Sequence, residues 1–361
     1  MLHYQKCFKF YLINGKAVIN RFNGSNLRCR ISIPQFIEGH PVVAIDDDFS
    51  DLKSASGFTL PDGLEAIGKM AFSRCNNVTK LKMPNSLKFI GTCAFYDCNA
   101  LTKVALNEGL RKIGHYAFSL ARFENINIPE GVTEIGVGAF ALCDSLKSII
   151  IPSSITNVSN YMFQQCAALT DVHLPDTLTS IGNYAFYGCK SLIDVAIPDS
   201  VSAIGDYAFA GCNLIKSITL PDSLTEFGAN VFSGCSKLSY NKYDNAYYLG
   251  SKTNPFMVLI KSRGRKITTC NVHPDTKFIA SNAFKKCTLL EKITIPGKLL
   301  GIDASAFEEC NALKDFSFLD NIPITNSFPE IQILSPFGKR TLWRDPPNDK
   351  YSVYDLIKNS L

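Results

Sequence analysis

No stretch of this sequence approaches the roughly 18 consecutive apolar residues that a membrane-spanning helix needs. The first ten residues carry Lys6 and Lys9 where an export signal needs an apolar segment, so a cytoplasmic chain is the expectation from that end. Histidine occurs five times in 361 residues, at His3, His40, His115, His173 and His273, and no two stand at a metal-ligand spacing. There is no C-x-x-C pair, no phosphate-cradling Gly loop and no Rossmann fingerprint. No Ser, Cys or Asp stands in a context that marks a nucleophile. Neither an enzyme nor a cofactor is expected. Charge is sparse as well: 37 Lys and Arg against 32 Asp and Glu leave a net +5, milder than a nucleic-acid binder usually carries.

What the sequence does have is repetition, the first thing to look for in a chain of this length. One Phe recurs at Phe49, Phe72, Phe95, Phe118, Phe140, Phe163, Phe186, Phe209, Phe232, Phe284 and Phe307. The spacing is 23 residues, except for one gap of 22 and one of 52, the latter a unit plus 29 extra residues. Around each Phe the chain reads P-x-x-[LV]-x-x-I-G-x-x-A-F-x-x-C-x-x-L-x-x-[IV]-x-[IL]. Counting from its Pro, each unit has Phe at position 12 and Cys at position 15.

Alternation at positions 21 and 23 predicts a strand with one buried face, which the following Pro ends. Positions 7, 11, 12, 15 and 18 have the spacing of a short helical or 3₁₀ turn, and positions 4 and 7 suggest a second short strand opposite the first. Position 8 is a Gly in seven units and Ser159, Ala280 or Asp303 in others, which predicts a tight turn favouring small residues. A 23-residue unit cannot bury both faces alone, so units must stack. The expected fold is therefore an α/β solenoid of about 11 units, parallel strands alternating with short helical or 3₁₀ turns, in a rod or arc on the order of 50 Å long.

The unit resembles the BspA-like leucine-rich repeat, marked by I-G-x-x-A-F-x-x-C and then L-x-x-[IV]-x-[IL]-P. The resemblance spans roughly residues 30 to 318. It extends to Ile31-Ser32-Ile33-Pro34 with Gly39-His40-Pro41-Val42, and to Asn245-Ala246-Tyr247-Tyr248-Leu249-Gly250 with Asn254-Pro255 and Val258-Leu259-Ile260. It implies a leucine-rich-repeat solenoid used for adhesion or protein binding, at a cell surface or secreted. Residues 1–29, with Asn14-Gly15 between two strand-like runs, are expected to form a hairpin cap. Residues 239–273 are expected to form a second hairpin standing off the rod, and residues 319–361 a C-terminal cap or a docking tail.

Nine of the thirteen Cys occupy position 15. In-register thiols have parallel Cβ vectors and cannot surround a zinc, so buried, reduced thiols are expected over metal or redox chemistry. The expected ligand is a protein or glycoprotein, bound by a monomer with neither nucleic acid nor a membrane span involved. Its candidate contacts are the outward positions 20 and 22. These give a basic patch (Lys80, Lys82, Lys103), then Asn125 and Asn127, then Asp171, His173 and Asp194. Asp171 and Asp194 would fall on adjacent rungs, where a bound cation, a carboxylate pair or an ordinary solvated face are the alternatives. The position 10 column (Tyr116, Tyr161, Tyr184, Tyr207) is either a contact surface or a stiffening ladder. A spacer or scaffold without a specific ligand is the competing function. The run Lys261, Arg263, Arg265, Lys266 reads as a solvated turn.

Overall fold

The computed structural model describes residues 7–24, 29–46 and 49–318. The units are numbered 1 to 11 by their Phe, from Phe49 to Phe307. Each contributes up to two short strands, which stack in parallel on opposite sides of one apolar core. The front side carries positions 20 to 22, as in Lys80–Lys82, Lys103–Ala105, Ser148–Ile150 and Asp171–His173. Positions 6 and 7 form the back side, as in Ala66–Ile67, Phe89–Ile90 and Lys112–Ile113, paired in register. Inward residues at positions 21 and 23 are buried, for example Leu81 and Met83, while Lys80 and Lys82 face solvent.

The third side, positions 8 to 18, contains no helix among the described residues. It is a run of β-turns closed by hydrogen bonds three residues apart: Ala94 N–H to Gly91 O, Tyr96 to Cys93, Cys98 to Phe95 and Leu101 to Cys98. That three-residue step is what the sequence shares with a helical turn. The helix is prevented because positions 10 and 14 adopt left-handed φ, which ends a right-handed helix at each. Position 14 does so in all eleven units, from Asp51 (φ 59°) through Gln165 (60°) and Gly234 (77°) to Glu309 (61°). The left-handed residues turn alternate N–H groups along the stack. Those of Met70, Phe72 and Arg74 donate to the carbonyls of Thr92, Ala94 and Tyr96 in the next unit. The turns are thus a hydrogen-bonded ladder of their own.

Close stacking explains the Gly at position 8. Its φ is ordinary, but a Cβ on Gly182 would lie 2.7 Å from the backbone N of Asn160 in the unit before. Ser159 is accommodated with its hydroxyl donating to Ile135 O at 2.6 Å. Ala280 follows the insertion, where the strand Val258–Ser262 precedes it in the stack.

Inside, the Phe rings form a column. From Phe72 to Phe232 neighbouring rings are 5.2 to 5.9 Å apart and within 17° of parallel. Beside it runs the thiol column. Cys98 Sγ donates to Phe72 O at 3.1 Å, Cys189 to Phe163 O at 3.2 Å, and the same contact recurs from Cys75 to Cys310 with few exceptions. All thirteen cysteines are free. Burial pushes the pKa up along this column, to about 12 for Cys98 and Cys166 and about 11 for Cys235.

The strand Phe8–Ile13 turns back through Asn14 and Gly15, both left-handed, into Lys16–Phe22, which pairs in parallel with His40–Ile45. The insertion does not stand off the rod. Ala246–Leu249 pairs antiparallel with Val258–Ser262, and the latter continues in parallel to Phe278–Ile279. Val258–Ser262 thus joins the back side, with Ala246–Leu249 and then Asn241–Tyr243 paired beyond it, because the insertion carries its own buried residues, Ala246, Tyr248 and Leu259. With Phe284, Cys287, Leu290 and Ile293 of unit 10 they make a second apolar cluster, while Val258, Phe278 and Ala280 pack with that of units 1 to 9. Residues 319–361 lie outside the described residues.

Truncating a ring in mid-column leaves a cavity that rigid neighbours cannot fill. Phe186→Ala is expected to cost about 3–5 kcal/mol in denaturant unfolding; a loss under about 1 kcal/mol would contradict the column's role. The thiols give a pH dependence. In the unfolded chain they ionise near 8.5, whereas the folded chain holds its protons to about 11 or 12. Stability is therefore fully present below about pH 8.5 and is lost as pH rises towards the folded values, by at most about 1.4 kcal/mol per thiol per pH unit. Unfolding midpoints at pH 7 and pH 10 should show this fall, and replacing Cys143, Cys166 and Cys189 by Ala should reduce it. Rapid labelling of all thirteen thiols at pH 8 without denaturant would contradict the buried assignment.

Candidate functional site

Front strands present alternate side chains to solvent, so register alone arranges the candidate residues. Lys103 lies directly beside Lys80, and Ala105 beside Lys82. All three Lys are exposed and have no carboxylate partner among the described residues. Like charges on neighbouring rungs repel. The same pair of positions in units 10 and 11 holds Lys292 and Asp315, 3.1 Å apart. Elsewhere Lys88 meets Glu65 at 2.8 Å, Lys147 meets Glu124 at 2.7 Å and Lys285 meets Glu308 at 2.8 Å. Units 2 and 3 instead place two Lys at the equivalent positions.

The next rung belongs to unit 4, whose Phe stands 22 residues before the next instead of 23. Ala121 takes the Cys position, and Phe123 replaces the Leu that follows. The larger ring compensates for the smaller neighbour: Phe123 is fully buried, edge-on to Phe118 at 6.1 Å and to Phe140 at 6.3 Å. The front strand is lost in exchange. Asn125 makes only an isolated bridge to Ser148, whose hydroxyl donates to its Oδ1 at 2.8 Å, and Asn127 is exposed outside any strand. A depression of about 670 Å³ opens here, lined among others by Lys103, Val104, Arg122, Glu124 and Asn125. Arg122 adds a fourth exposed cation, and Glu124 is engaged by Lys147.

Farther along, Asp171 and His173 share the strand Asp171–His173, with Nδ1 of His173 3.4 Å from Oδ2 of Asp171. Asp194 is exposed, but its segment forms no strand. The N–H of Thr170 donates to Lys147 O, and no equivalent bond joins Ile193 to Thr170. Asp171 and Asp194 are therefore not held as ladder neighbours, contrary to the expectation from spacing. The back and turn ladders keep unit 7 in register without a front strand. The site thus consists of a cationic end, a depression at the irregular unit, and a separate acidic and imidazole end.

In the Tyr column, Tyr161, Tyr184 and Tyr207 stack at 5.1 and 4.9 Å. Tyr116 is set apart by Gly138 and lies where that residue's side chain would be. Burial raises the Tyr116 hydroxyl to about 12. Lys261 is not simply solvated: its Nζ lies over the Tyr240 ring at 4.3 Å. Spacing alone did not single out Arg122 or the depression, although the 22-residue unit and its missing Cys mark the place.

The family model for the BspA type leucine rich repeat region matches residues 45–170, 157–253 and 262–329. The chain belongs to this family. A leucine-rich repeat protein from Bacteroides ovatus is 28% identical over 87% of this chain and 75% of its own, with a TM-score of 0.63. A leucine rich cell surface protein from Faecalibacterium prausnitzii is 24% identical over 87% and 93%, with a TM-score of 0.43. The T. pallidum leucine rich repeat protein is 26% identical over 65% and 89%, with a TM-score of 0.40. No curated protein matches the chain. Among the described residues no helix is long and apolar enough to cross a membrane.

Proposed function

We propose that this BspA-type solenoid is a non-enzymatic binding protein whose front face takes a protein or glycoprotein ligand. Lys80, Lys82, Lys103 and Arg122 meet an acidic stretch of that ligand. Asn125, Asn127, Asp171, His173 and Asp194 extend the contact. One observation carries the reading: Lys80 and Lys103 are ladder neighbours of like charge, where units 10 and 11 place an ion pair. Such a pair costs stability and adds nothing to the stack, whereas unneutralised cations beside an open depression steer and hold an anionic partner. A spacer without a ligand has no use for that segregation of charge. In the same reading the hairpin Phe8–Phe22 caps the first unit, as solenoids require for solubility. Adhesion at a cell surface is the setting we favour, on the family's account.

Immobilised poly-glutamate serves as an acidic polypeptide probe. Binding of the wild-type chain should weaken steeply with salt, and Lys80→Glu, Lys82→Glu, Lys103→Glu together should slow association about tenfold or more at low salt. The thermal melt should not change, because these side chains point away from the core. Equal association rates for wild type and variant would contradict the proposal.

A further inference from the structure

In units 1 to 8 and in unit 10, the N–H groups at positions 12 and 14 donate to carbonyls of the following unit. Unit 9 departs from this. The N–H groups of Phe232 and Gly234 have no acceptor among the described residues, and Asn230 N–H reaches Ser281 Oγ at 2.6 Å in place of a carbonyl. The insertion is the cause. Ala283 O, which the register would offer to Phe232, accepts instead from Ser262 N–H at 2.7 Å. Phe232 is buried and Gly234 is exposed, and their N–H groups are left to donate outside the stack.

Both residues line a cavity. In the preceding eight units the N–H groups at these positions run along the stack towards the next turn. After unit 9 that direction leads into a space of about 430 Å³, with Phe232 and Gly234 on one wall and Tyr240, Ile260 and Lys261 on another. Lys261 is held over the Tyr240 ring and has no carboxylate partner among the described residues. Gly234, at φ 77°, has no side chain to cover its N–H.

We propose that this seam binds the carboxylate of a peptide ligand. Either N–H can donate to a carboxylate oxygen, and the ammonium of Lys261 neutralises its charge. The cavity has room for the carboxylate and an adjoining side chain, whose apolar part would rest on Phe227, Val231 and Ile260. The site uses the turn side of unit 9, not the front face, so its failure would leave the front-face proposal standing.

Amide NMR of the full chain provides the test, with N-acetylphenylalanine and N-acetylphenylalaninamide as probes. The acid should move the Phe232 and Gly234 amide resonances downfield and the amide should not. Lys261→Met should lower the acid's affinity about tenfold, as loss of a charge-assisted contact does. The amide spectrum of units 1 to 8 should be unchanged in that variant, which separates loss of the site from loss of the fold. Unmoved Phe232 and Gly234 resonances, equal movement with both probes, or undiminished affinity in the variant would each overturn the proposal. So would movement with inorganic phosphate but none with the acid.

Discussion

Units 1 to 8 and unit 10 of this solenoid pass alternate N–H groups of a turn to the carbonyls of the unit that follows. A turn can present N–H groups in that way only if residues on either side of the Phe are left-handed, and this holds at position 14 in every unit. A non-glycine residue there costs roughly 1–2 kcal/mol. Ladder bonds and the burial of the ring between the two left-handed positions offset it. The inward Phe column, the thiols that donate to Phe carbonyls and the Gly at position 8 all follow from this close stacking of turn on turn.

Much of the arrangement was legible because identical spacing must repeat identical contacts. The Phe and Cys columns, the inward residues at 21 and 23 and the back strand near position 7 are direct readings of the repeat. The turn was misjudged for a physical reason: a chain of β-turns and a 3₁₀ helix share a three-residue step. Left-handed φ left a glycine in the sequence at Gly138, Gly188, Gly211 and Gly234, while Arg74, Asp97, Leu120 and Gln165 adopt it without any marker. The front-face candidates were placed correctly as exposed residues, yet Asp171 and Asp194 were not brought onto one ladder. The unpaired donors of unit 9 were beyond reach, because they depend on which residue Ala283 O accepts from.

The two departures from the 23-residue period coincide with two openings in the surface. The short unit 4 loses its front strand and opens the depression beside Lys103 and Arg122. The 29-residue insertion after unit 9 displaces a turn and opens the cavity at Phe232, Gly234 and Lys261. Regular units close their own surfaces by stacking, so a ligand finds room where the stacking is interrupted. Both openings carry cations without acidic partners among the described residues, which is why anionic groups are the chemistry assigned to each.

Amide hydrogen exchange resolved by residue measures the inter-unit ladder directly. Strong protection is expected at Phe163, Gln165, Phe186 and Gly188, whose N–H groups donate to the next unit, and faster exchange at Phe232 and Gly234. Unprotected exchange at Gln165 and Gly188, at the rate of free loop amides, would contradict this ladder.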